Sequence, residues 1–155
     1  MDEPQDQSAL HRSFSVRAYN AAADLLYKEG PRTEDETRQM LSLAHVAYWH
    51  RSQRPDVSDT QLATGLWLLS RAHAAVGEAR LGLEYGRQSL ALAGGEAAAS
   101  YLVACALEAI ARSQAMLGDK AEAAASAAKA RALAEASDDD NKRYLLGDLD
   151  TIVLS

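Results

Sequence analysis

The sequence predicts an all-α fold: an α-solenoid of three antiparallel helix hairpins closed by a C-terminal capping helix. Three observations carry the prediction. Ala occurs 32 times and Leu 21 times, against 13 for Val, Ile and Thr together. Ala and Leu lose little freedom in a helix, whereas β-branched side chains lose more. Two stretches superpose when slid by 41 residues: Leu66 to Glu78 lies over Leu107 to Asp119, each an amphipathic run ending in a Gly and then an acid. A second helix-forming run follows each, and a repeated helix–turn–helix unit is the mark of a stacked helical array. Finally, no segment shows the alternation of a strand.

The elements follow in order. Residues 1–12 read as a disordered leader, polar and acidic, and residues 13–155 as one helical domain. A first helix is expected from Phe14 or Ser15 to Glu29, with Val16, Tyr19, Ala22, Ala23 and Leu26 on one face, ended by Gly30-Pro31. Thr33-Glu34-Asp35-Glu36 is a capping box, in which hydroxyl and carboxylate each satisfy a free backbone N–H, and it opens a second helix reaching Ser52. Met40, Leu43, Ala44 and Ala47 form its core stripe, and Pro55 breaks the chain after it. Ser58 to Gln61 repeats the capping logic for a third helix, Asp59 to Val76, with Leu62, Leu66, Leu69, His73 and Val76 along one face. A fourth spans Glu78 to Ala93 and closes at Gly94-Gly95. A fifth spans Glu96 to Leu117, and an Ala-rich sixth runs from Asp119 to Ala136. The seventh begins at Ser137, where Asp138, Asp139 and Asp140 would place negative charge at its positive end, and carries Leu145, Leu149, Ile152 and Val153 on one side.

Composition narrows the function classes. A net charge of −6 with interspersed signs argues against nucleic acid as a partner, which needs a basic footprint. No apolar run is long enough to span a membrane, and the N-terminus has no apolar signal core, so the expected compartment is the cytoplasm. The single cysteine, Cys105, excludes an intrachain disulfide and sits in a helical run as a small buried hydrophobe.

Taking each turn glycine as origin, large apolar residues stand eleven and eight positions earlier (Leu66 and Leu69, then Leu107 and Ile110) and a small one seven earlier (Ser70, then Ala111). Small residues follow five, nine and twelve later: Gly82, Gly86 and Ser89, then Ala123, Ala127 and Ala130. In these positions the chain resembles a tetratricopeptide repeat (TPR) protein, most closely from Ala63 to Leu92 and from Ala104 to Leu133. It departs from the family in its longer repeat, 41 residues against about 34. It also has Gly86 and Ala127 where an aromatic is usual, and no proline ends the second helix. The first hairpin, Ser15 to Arg51, follows the pattern only loosely.

The resemblance implies that the first helices of successive hairpins line a concave groove. Two adjacent rows would then face it: Asn20, Trp67 and Glu108, and beside them Asp24, Arg71 and Arg112. The guanidinium forks suit a carboxylate or phosphate, and Trp67 is the usual kind of interface anchor. The competing reading pairs Arg112 with Glu108 one turn earlier, and Arg71 with Asp24 across helices. The family's peptide-carboxylate clamp needs Lys and Asn at several groove sites, and only Asn20 is of that type.

A second cluster, His45, Tyr48, Trp49 and His50, lies on the second helix. His45 and Trp49 share a face, His50 points elsewhere, and His73 could approach His45 across a hairpin. Two histidines without a patterned carboxylate make a poor metal site, so packing, or a patch for a partner or a second copy of the chain, is expected. Arg38 and His45 also resemble the Arg–His signature of the HEPN family of helical ribonucleases, against which the acidic charge counts. The expected function is a non-catalytic protein–protein interaction module that binds a protein segment in its groove, with no cofactor or metal and with homodimerisation open. The alternatives are a small-molecule or anion sensor using the Arg pair and, more remotely, the ribonuclease.

Overall fold

The computed structural model describes residues 4–154 except 96, 97 and 99. Among the described residues every regular element is an α-helix: α1 (Pro4–Leu26), α2 (Glu34–Ser52), α3 (Asp59–Ala75), α4 (Ala79–Leu92), α5 (Tyr101–Leu117), α6 (Lys120–Glu135) and α7 (Lys142–Asp150). Each helix packs on the next, and α1 on α3, α3 on α5 and α5 on α7 as well.

Local chemistry explains most boundaries. Thr33 Oγ1 accepts from Glu36 N at 3.2 Å while the Glu36 carboxylate accepts from Thr33 N at 2.8 Å, and Ser58 and Gln61 repeat this box at α3. The two repeated turns close identically. Gly77 and Gly118 have φ of 88° and 86°, a left-handed conformation that suits only glycine well. Gly77 N donates to Ala74 O and Glu78 N to His73 O; Gly118 N donates to Ala115 O and Asp119 N to Gln114 O, the Schellman closure in both.

Small residues set the spacing of α3, α4 and α5. Ser70 Oγ donates to Gly82 O at 2.6 Å. A Cβ on Gly82 would stand 2.6 Å from Ser113 Oγ, and one on Gly86 3.0 Å from Ile110 Cγ1. The helices therefore meet at backbone distance. Two apolar clusters result, one around α1, α2 and α3 and one around α5, α6 and α7, and Trp67 packs against both.

Four expectations are corrected. Residues 4–12, expected as a disordered leader, belong to α1; His11 reaches His50 and Arg12 pairs with Asp56, which ties these turns to the far end of α2. Residues 1–3 lie outside the description. The buried stripe of α1 is Ser15, Ala18, Ala22 and Leu26, so Val16 is exposed; Ser15 tolerates burial because its hydroxyl donates to Arg12 O. Helix α5 starts at Tyr101, with Ser100 Oγ accepting from Val103 N; part of the expected start, 96, 97 and 99, lies outside the described residues. Helix α7 starts at Lys142 rather than Ser137, because Ser137 and Asp139 side chains accept from the backbone N–H of Asp139 and Asn141 and hold a turn instead. Its buried side is Leu145, Leu149 and Ile152, while Val153 is exposed.

Candidate functional site

Four of the six groove residues meet, though not on an open surface. Trp67 and Arg71 from α3 stand beside Glu108 and Arg112 from α5, and α7 closes over the charged ones. Glu108 is completely buried. Its Oε1 accepts from Arg112 Nε and NH2 at 2.9 and 2.6 Å, and its Oε2 accepts from Arg71 NH1 at 3.1 Å. Arg71 also donates to Asp148 of α7 at 3.1 Å, and Arg112 to Asp148 O and Thr151 Oγ1, both at 2.8 Å. Two cations face two carboxylates, so the cluster is neutral. Burial works against the charge of Arg71, but Glu108 and then Asp148 outweigh it and raise its pKa.

The expected rows are thereby corrected. Arg112 does pair with Glu108, but the partners of Arg71 are Glu108 and Asp148, not Asp24. Asn20 and Asp24 are exposed on α1 and do not join the cluster. The α1 residues that face this side are Tyr19 and Tyr27, one position before Asn20 and three after Asp24, and about two turns apart on the same helix.

Beside the cluster, α1, α3, α5 and α7 enclose a cleft of about 290 Å³. Its walls carry Tyr19, Tyr27, Trp67, Tyr101 and Tyr144, with Cys105 and Leu145 deeper and Asp148 at the side of the ion cluster. Four of the six tyrosines and one of the two tryptophans thus share one cavity. Tyr27 OH donates to Asp148 at 2.8 Å and Tyr101 OH to Asn141 O at 3.2 Å. Guanidiniums back the rings: Arg51 lies over Tyr19 at 5.1 Å, Arg71 over Tyr27 at 5.7 Å and Trp67 at 5.9 Å, and Arg143 over Tyr144 at 4.8 Å. Burial pushes the Cys105 thiol up to about 12, so it is a protonated hydrophobe rather than a nucleophile.

The cluster expected on α2 divides. His45 Nε2 meets His73 Nε2 at 3.0 Å, and His73 Nδ1 donates to Glu78 at 2.5 Å, with Tyr85 stacked on His73. Trp49 and His50 turn toward His11, whose Nδ1 meets His50 Nδ1 at 2.8 Å. Tyr48 is half-buried against Gly65 of α3. The ring centroids lie 5.2 Å apart in the first histidine pair and 5.1 Å in the second. That is the N···N distance plus one ring radius on each side, so the nitrogens point head to head in a straight N–H···N bond. Two ligands of one metal ion would instead aim their lone pairs at a common third point. Arg38, seven residues before His45, pairs with Asp35 and Glu34.

No helix among the described residues is long and apolar enough to cross a membrane. Compared with protein-family models, curated proteins and solved structures, the chain matches none.

Proposed function

We propose that this chain is a non-catalytic binding module, a TPR-like α-solenoid that holds a protein segment on the side formed by α1, α3 and α5. The aromatic cleft is the anchor point, and it is the observation that carries the reading. A concave, mostly apolar cavity between helices with a few polar groups at its rim is the usual form of a binding site. Large aromatic side chains, moreover, supply most of the energy where proteins meet. The identical turn closures at Gly77 and Gly118 and the backbone-close helix contacts at Gly82 and Gly86 support the repeat architecture.

The Arg pair has a different role from the one its exposure would have given it. Neutralised by Glu108 and Asp148, it fastens α7 and shapes one wall of the cleft. A long extended peptide lying over that row would have to displace α7, so the partner is expected to insert one side chain beside it.

A selection from a displayed library of random short peptides tests the reading. Recovered peptides should bind the intact protein and lose at least tenfold in affinity for Tyr101→Ala. Peptides that bind the variant equally well, or a selection that recovers none, would refute it.

A further inference from the structure

We propose that the cleft takes an uncharged, planar aromatic group carrying its own hydrogen-bond donor, that is, a phenol or an indole. This rests on the cleft being the binding site and names what enters it. Three observations select the ligand class.

The first is shape. Five aromatic walls around about 290 Å³ leave room for one or two fused rings, in edge-to-face or offset contact with the walls.

The second is the state of the rings. Tyr rings and an indole around a carboxylate would suit an ammonium ligand if their faces were open. Here every cation–π contact among the described residues falls on a wall of this cleft. Arg51, Arg71 and Arg143 already occupy Tyr19, Tyr27, Trp67 and Tyr144. A ring polarised toward one guanidinium offers less to a second cation on its other face, and the two like charges repel through it. An electron-rich neutral ring meets no such penalty.

The third is the direction of the wall hydroxyls. Tyr27 donates its hydrogen to Asp148, Tyr101 to Asn141 O, and Thr64 to Thr60 O at 2.9 Å. Each is left with oxygen lone pairs and no hydrogen to give. Two other walls still donate: Tyr144 OH accepts from Arg143 NH2 at 3.0 Å and keeps its hydrogen, and the Trp67 indole N–H is buried with no partner among the described residues. A ligand hydroxyl answers both sets, since it donates to the three oxygens and accepts from an O–H or N–H, whereas a carboxylate can only accept and would meet Asp148.

The test uses Trp49→Phe protein, in which Trp67 supplies the single indole signal. Trp49 is 55 % exposed, so its replacement leaves the core untouched. The indole N–H resonance is followed by NMR during titration with p-cresol, 4-methylanisole, tyramine and p-toluate, which share one ring and differ in donor and charge. Saturable shifts with p-cresol are expected. Binding should be at least tenfold weaker for the methyl ether, the ammonium and the carboxylate. A short tyrosine peptide and its phenylalanine counterpart separate the two sources of a phenol: tighter binding by the tyrosine peptide than by p-cresol assigns the group to a protein segment, and weaker binding to a free small molecule. Tyramine or p-toluate binding as tightly as p-cresol would overturn the ligand class while leaving the cleft as the binding site. Silence of Trp67 toward the whole series would overturn the class even if selected peptides still depend on Tyr101.

Discussion

Replacing Glu108 by Gln keeps the shape of the most deeply buried ionic group and removes its charge. Glu108 has no exposed surface and accepts three hydrogen bonds, two from Arg112 and one from Arg71. In the variant the cluster holds two guanidiniums and only the Asp148 carboxylate, and one amide N–H₂ must point at a donor. Removing one partner from a buried charge pair costs about 3–5 kcal/mol. For a chain of this length each kcal/mol moves the melting temperature by about 2–4 °C. The expected fall is therefore on the order of 10 °C, read by calorimetry or by circular dichroism at 222 nm. Asp148→Asn should cost less, about 1–3 kcal/mol, because that side chain keeps some contact with water. The loss from Glu108→Gln should also survive high salt, which screens exposed pairs but not buried ones. A change below about 1 kcal/mol in Glu108→Gln would refute the reasoning, since it would mean the cluster is solvated in solution.

Four further outcomes are expected. The pKa values of His45 and His50 are lowered, by burial first and then by charge on His73 and His11 respectively. The unfolded chain then takes up protons at these sites before the folded one does. Stability is full above the ordinary histidine range and falls as pH drops through it, so melting at about pH 5.5 should lie below that at about pH 7.5. His45→Gln should reduce the difference, and a flat profile would count against the paired geometry. Gly82→Ala drives a Cβ into Ser113 Oγ and should cost about 1–3 kcal/mol in denaturant melts. Gly147→Ala, within α7 and with nothing near its would-be Cβ, should stabilise by about 0.5–1 kcal/mol. Cys105 should stay silent to a thiol reagent such as DTNB in native protein and react fully in guanidinium; rapid native labelling would contradict its burial.

What could be read from the sequence was local. The capping boxes at Thr33 and Ser58 placed two helix starts because their bonds span only three residues. The Gly77 and Gly118 turns and the small residues after them were legible for the same reason. The period of α3 marked Leu66, Leu69 and His73, but it did not show that this central helix is buried on nearly every side, Leu68, Arg71 and Ala72 included, while Leu62 and Val76 are only half-buried. Long-range partners were not. Asp148 stands next to Leu149 in an ordinary amphipathic helix, and no local pattern shows that it meets Arg71, 77 residues earlier. The cleft was missed because its tyrosines come from α1, α5 and α7, each unremarkable alone. On α1 the groove side was read from Asn20 and Asp24, which are exposed, whereas Tyr19, expected in the core stripe, and Tyr27 stand at the cleft. The acidic run after Ser137 was read as a helix start through the dipole argument, but short side chains bonding their own backbone prevailed.

Helix α7 contributes the fourth charge of the ionic cluster, and this constrains how the chain can be shortened. A version that stops at Asn141 would not be the same molecule minus an ornament. It would expose two guanidiniums sharing one acid, together with the apolar surface that Leu145, Leu149 and Ile152 had covered. Such a remnant would stick to hydrophobic resins for reasons unrelated to its natural partner. Binding data from it would describe the wound rather than the protein.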